Sequence, residues 1–169
     1  MEEIIGKIIG DNGKDVRSLP EIIREVYGYK EHDPEQYSPL ALAYIGDTVF
    51  DLIVRLKAVT GHSEPMKKIN KRAVSVVNAT TQAAMLKREI LPKLTEEEEK
   101  IYKRGRNAKS YTSAKNANII DYRAATGFEA LIGWLYLSDS MDRILELVLP
   151  VIPEYETGNQ NNSEKRETI

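Results

Sequence analysis

Ser38-Pro39-Leu40-Ala41-Leu42-Ala43-Tyr44-Ile45-Gly46-Asp47-Thr48-Val49-Phe50-Asp51 is the stretch on which the fold turns. Ser followed by Pro reads as an N-cap and a first helical position. The helix is expected to run to about Val59 and to stop at Thr60-Gly61. From Pro39 to Phe50 the only charge is Asp47, with apolar residues on every side of it. A helix that is apolar all round is expected to be buried. Asp47, Asp51 and Arg55 are spaced by four, so they share one polar stripe.

A second helix, expected over about Asp121–Leu137, repeats the pattern. Between Ala124 and Ser138 its single charge is Glu129, set among Phe128, Leu131, Ile132, Trp134 and Leu135. Ionised carboxylates in a low dielectric cost several kcal/mol unless they are paired or bound to a cation. Two such acids on two apolar helices point to a shared divalent ion, with Asp47 and Glu129 as its ligands. A hard, oxygen-ligated cation of the Mg²⁺ kind suits this donor set. The plainer alternative is that Asp47 pairs with Arg55 or Arg123 while Glu129 faces solvent at an edge.

Outward from these two helices the chain reads as all-α. Strand alternation and hairpin turns are missing from the pattern. Met66, Ile69, Ala73 and Val76 recur at helical spacing, and Asn78 is a fitting cap for a further helix up to Pro92. Thr95-x-x-Glu98 is a capping box opening a helix through Arg104, with Gly105 as the expected C-cap. A last helix is expected over Ser140–Val148, ended by Pro150 and Pro153. Residues 1–36 read as an amphipathic, acidic lead-in, residues 37–153 as the domain, and residues 154–169 as a polar tail whose composition predicts disorder.

Composition narrows the chemistry. A chain of 169 residues is one domain by length. With no Cys and two His, thiolate chemistry, zinc knuckles and polyhistidine metal sites are excluded, and so is a histidine-rich helical phosphohydrolase. No segment reads as a signal peptide or a membrane span, so the expected compartment is the cytoplasm. The net charge of −2 conceals a basic middle, residues 65–115, with 13 Lys/Arg against 5 Asp/Glu. Within it Lys103, Arg104, Arg106 and Lys109 cluster around Gly105, joined by Asn107. Such residues suit phosphates and sugar hydroxyls, although a solvated loop after a charged helix has the same composition. A hard-metal site beside a phosphate-binding segment suggests phosphodiester hydrolysis.

Three of these segments carry a family resemblance. Ala43–Asp51 (AYIGDTVFD) resembles the signature helix of the ribonuclease III domain, and Phe128–Gly133 (FEALIG) resembles that domain's second catalytic helix. Lys103–Ser110 (KRGRNAKS) is similar to a loop of the Mini-ribonuclease III subfamily, standalone catalytic domains without a double-stranded-RNA-binding domain. The resemblance covers about Tyr37–Val148. It implies the all-α ribonuclease III endonuclease fold and a homodimer that cuts double-stranded RNA with Mg²⁺. It also implies a role in maturing the large-subunit ribosomal RNA precursor, with a ribosomal protein as a candidate presenter of the substrate. Asp47 and Glu129 match the two acids that the subfamily retains, and Tyr44 matches an aromatic knob at the dimer interface. Further family acids are missing: Leu40, Ala43 and Thr126 stand in their places. Those gaps leave a leaner metal site and keep open a non-catalytic RNA-binding scaffold as the alternative.

Overall fold

The computed structural model describes residues 17–30, 32–60, 65–109 and 119–154. Residues 1–16 of the expected lead-in, the expected polar tail from residue 155 and the segment of residues 110–118 lie outside the described residues. Among those described, every regular element is helical. None of the helices is long and apolar enough to cross a membrane.

The lead-in contains a helix of its own, α1 (Leu19–Tyr27). Ser18 and Glu21 form a reciprocal capping box at its start, and Gly28 ends it at φ 65°. That left-handed conformation carries little penalty for glycine. A single 3₁₀ turn, Pro34–Gln36, then leads into α2 (Pro39–Thr60). Ser38 caps α2 as expected, its hydroxyl accepting from the Ala41 N–H at 3.1 Å. α3 (Met66–Val77) and α4 (Ala79–Met85) follow, separated by Asn78, whose side chain accepts from the Thr81 N–H at 3.0 Å. A wider π-type turn over Leu86–Ile90 leads to α5 (Glu96–Arg106). The long α6 (Ile119–Leu137) and the short α7 (Met141–Val148) complete the domain.

α2 and α6 are the central pair, with α5, α4 and α3 packed around them. Phe50 and Phe128 meet edge to face in the core, with ring centroids 5.1 Å apart, a favoured aromatic geometry. Leu131, Ile132, Ile144 and Leu147 fill the space about them. The domain also holds its own ends. Lys57 donates to the Ile152 carbonyl at 2.8 Å, and Arg104 donates to the carbonyls of Glu35 and Tyr37 at 3.0 and 3.3 Å.

Two expectations need correction. Gly105 does not cap α5: it lies inside the helix, buried, and Asn107 is the cap. A Cβ on Gly105 would lie 2.6 Å from the Ala130 Cβ, so this glycine is there to let α5 and α6 approach. Nor is α2 buried all round. Tyr44 is 77% exposed, and Leu52, Leu56 and Val59 also reach solvent. Asp47 lies at the edge of that open apolar face and is itself exposed.

Candidate active site

The site begins with two glycines. A Cβ on Gly46 would lie 1.8 Å from the backbone oxygen of Glu129, and one on Gly133 would lie 2.0 Å from that of Leu42. Real side chains do not tolerate such distances, so α2 and α6 cross here with their backbones in contact. Asp47 follows Gly46 directly, and Glu129 supplies the backbone that Gly46 touches. The crossing therefore draws the two acids of the sequence reading to one place.

Their electrostatics carry the mark of that placement. Burial, and then the Asp47 charge, pushes the Glu129 carboxyl up to about 7. Asp47 is more open, and partial desolvation, then Asp51, raises its carboxyl. Burial disfavours the charged form of an acid, and a like charge nearby adds to the effect. No salt bridge answers either acid among the described residues. Arg55, one candidate partner of Asp47, bonds Asp51 instead at 2.6 Å, and Arg123 is exposed on α6. Two convergent, uncompensated carboxylates are a fit place for a divalent cation. Among the described residues no third Asp, Glu or His joins them in a metal-binding group. Leu40 is partly exposed and Ala43 buried. Thr126 turns its hydroxyl onto the Tyr122 carbonyl of its own helix at 3.0 Å.

The basic segment divides into unlike parts. Arg104 is half-buried, its guanidinium held by the Glu35 and Tyr37 carbonyls, which makes it a clamp on the lead-in. Lys103 bonds Glu99 at 2.7 Å on the surface of α5. Arg106 lies over the ring of Tyr102, and Asn107 and Lys109 are exposed. The structure adds a basic surface that the residue-by-residue reading passed over. α3 has no acidic residue, and its exposed Lys67, Lys68 and Lys71 make no ion pair among the described residues. The excess of positive charge over residues 65–115 was the available signal.

Known proteins match this chain over the stretch that holds Asp47 and Glu129. Residues 40–140 match the model of the Ribonuclease III domain. A Mini-ribonuclease 3 from Clostridium tetani is 44% identical over 80% of this chain and 90% of its own length. A Mini-ribonuclease 3 from Thermoanaerobacter sp. is 48% identical over 69% of this chain and 84% of its own. A protein from Fusobacterium nucleatum, solved by X-ray crystallography, superposes with a TM-score of 0.64 at 31% identity. It covers 72% of this chain and 97% of its own.

Proposed function

From the premise that this chain belongs to the Mini-ribonuclease 3 family, built on the ribonuclease III domain, we propose that Asp47 and Glu129 are its catalytic acids and hold Mg²⁺. The chain is an endoribonuclease acting on double-stranded RNA. The observation that carries the site assignment is the glycine crossing of α2 and α6, with an uncompensated acid from each helix beside it. A divalent cation supplies, when bound, an activated water and charge neutralisation at the scissile phosphate. The chain's own part is to present two carboxylates whose negative charge no cation cancels among the described residues. Lys103, Arg106, Asn107 and Lys109 at the end of α5, with Lys67, Lys68 and Lys71 on α3, hold the phosphate backbone. Arg104 contributes by fixing the lead-in. Base edges of A-form RNA are poorly accessible, so recognition rests on shape, phosphates and 2′-hydroxyls.

The enzyme is a homodimer, and the open apolar face of α2 around Tyr44 is its subunit interface. Ribonuclease III family proteins are typically dimeric, and the exposed Tyr44, Leu52, Leu56 and Val59 form a patch in need of cover. The natural substrate is the precursor of large-subunit ribosomal RNA in the cytoplasm, with a ribosomal protein presenting it.

The test is cleavage of that precursor beside a generic RNA duplex, with Mg²⁺ and with EDTA. Discrete cuts in the precursor, lost with EDTA, support the reading. Equal, unselective cutting of both RNAs overturns the substrate assignment. Persistence of the cuts in EDTA overturns the metal assignment.

A further inference from the structure

We propose that α1, a helix outside the segment matching the family model, is part of the subunit interface, and that it forms with α2 a groove receiving the second copy of this chain. The inference rests on the dimer reading above and extends it.

A groove of about 540 Å³ runs between α1, α2 and the end of α6. Its walls are mainly apolar and include Leu19, Ile23, Tyr29, Tyr44, Leu52 and Tyr136. α1 does not turn its apolar side wholly inward. Pro20 is buried, but Leu19 is 58% exposed and Ile23 43%, and Tyr29, just past the Gly28 cap, is 63% exposed. These residues face the same groove as Tyr44, so the open apolar face of α2 continues onto α1 without a break. The segment that joins α1 to α2 is anchored near its end, since Arg104 bonds the Glu35 and Tyr37 carbonyls and Lys100 pairs with Glu35.

Area argues that the occupant is a second copy. A whole aromatic side chain buries roughly 200 Å², and an aliphatic one roughly 120 Å² at the usual hydrophobic coefficient. Scaled by exposure, the α2 face with Tyr37 offers about 450 Å². Leu19, Ile23 and Tyr29 bring the patch to about 700 Å². One side of a stable interface covers about 800 Å². About two thirds of a homodimer interface is apolar, roughly 500 Å² a side, so the combined apolar face is as large as a stable dimer needs. A two-fold interface must also be self-complementary, with projection and recess on one patch. Here Tyr44 projects beside the groove that it helps to line.

The experiment is sedimentation equilibrium on the full chain, comparing wild type with Ile23→Glu and Tyr29→Ser. Both positions are exposed, and a thermal melt checks each fold. The dimer dissociation constant is expected to rise about tenfold or more for Ile23→Glu and about fivefold for Tyr29→Ser, as for residues near the centre of an interface. Hydrogen exchange is the second readout: amides of residues 19–29 should gain protection as wild type is concentrated through its dissociation constant. A dimeric wild type with unchanged variants and no such protection overturns the role of α1 and leaves the dimer reading standing. A wild type that cuts RNA while monomeric overturns both.

Discussion

Glu98 and Glu129 are both acids taken largely out of water, and the domain treats them in opposite ways. Glu98, 4% exposed at the start of α5, accepts two hydrogen bonds from Arg143 at 2.8 and 3.0 Å and one from the Thr95 N–H. Its bonds to Arg143 hold the carboxyl below the usual range, against the opposing effect of burial. Glu129 has no such partner among the described residues, and burial together with Asp47 pushes it up to about 7. Burial alone does not tell a structural acid from a functional one. What tells them apart is whether the chain supplies the balancing cation itself. An acid left unbalanced destabilises the fold and keeps its charge available to an external ion.

The comparison breaks if the two acids behave alike on substitution. Asp47→Asn and Glu129→Gln are each expected to lower double-stranded RNA cleavage by about 10⁴-fold or more, over 5 kcal/mol of transition-state stabilisation. Circular dichroism should show the fold retained. A loss below about tenfold in either variant would remove that acid from the catalytic pair.

Arg143→Met tests the other side. It leaves Glu98 buried without its cation, and breaking a buried pair in this way costs about 3 to 5 kcal/mol. Urea unfolding should show that loss, while cleavage per folded molecule stays within about twofold. Adding Glu98→Gln should restore part of the stability, because the stranded charge is gone.

How far each site could be read in advance follows from the same contrast. The acids at 47 and 129 were conspicuous because each interrupts an apolar helix, an anomaly visible along one strand of text. The helix starts were legible for a similar reason: Ser38-Pro39, Asn78 and Thr95-x-x-Glu98 are local chemistry, and each caps as read. Arg143 is 45 residues from Glu98, and nothing local marks it as the partner. Arg104 sat in a run of cations that looked uniformly suited to phosphate, yet a distant pair of carbonyls engages it. Gly105 looked like a helix end because glycine commonly is one, whereas its actual reason is the neighbouring α6. The exposure of Asp47 was hidden because an all-apolar helix reads the same against a domain core as against another subunit.

Stability against pH sharpens the contrast. The folded-state value of Glu129 lies above its ordinary 4.5, so between about 4.5 and 7 the unfolded chain releases this proton first. Without a divalent ion, stability therefore falls as pH rises through that window, by about 3 kcal/mol. Glu98 has the opposite sign: its contribution is present above its unfolded value and is lost as pH falls through its depressed folded value. Urea denaturation from pH 4.5 to 8 in EDTA should show the Glu129 decline. Glu129→Gln should flatten it and leave the protein more stable than wild type at pH 8. An unchanged slope in that variant would mean that Glu129 is already balanced.

Asp51 stands between the two types, and the smallest effect belongs to it. It is ion-paired with Arg55 at 2.6 Å, yet it lies one turn from Asp47 and raises that carboxyl. A charge about 6 Å away in a watery setting is worth about 0.7 kcal/mol, and Arg55 cancels part of it. Asp51→Asn should therefore weaken divalent-ion binding by only about two- to threefold, measured by titration calorimetry with Mn²⁺, and Arg55→Gln should strengthen it by a similar or smaller factor. Abolished binding in Asp51→Asn would move this residue into the set that holds the ion. No change in either variant would put the pair with Glu98 and Arg143, as charge the chain has already balanced for itself.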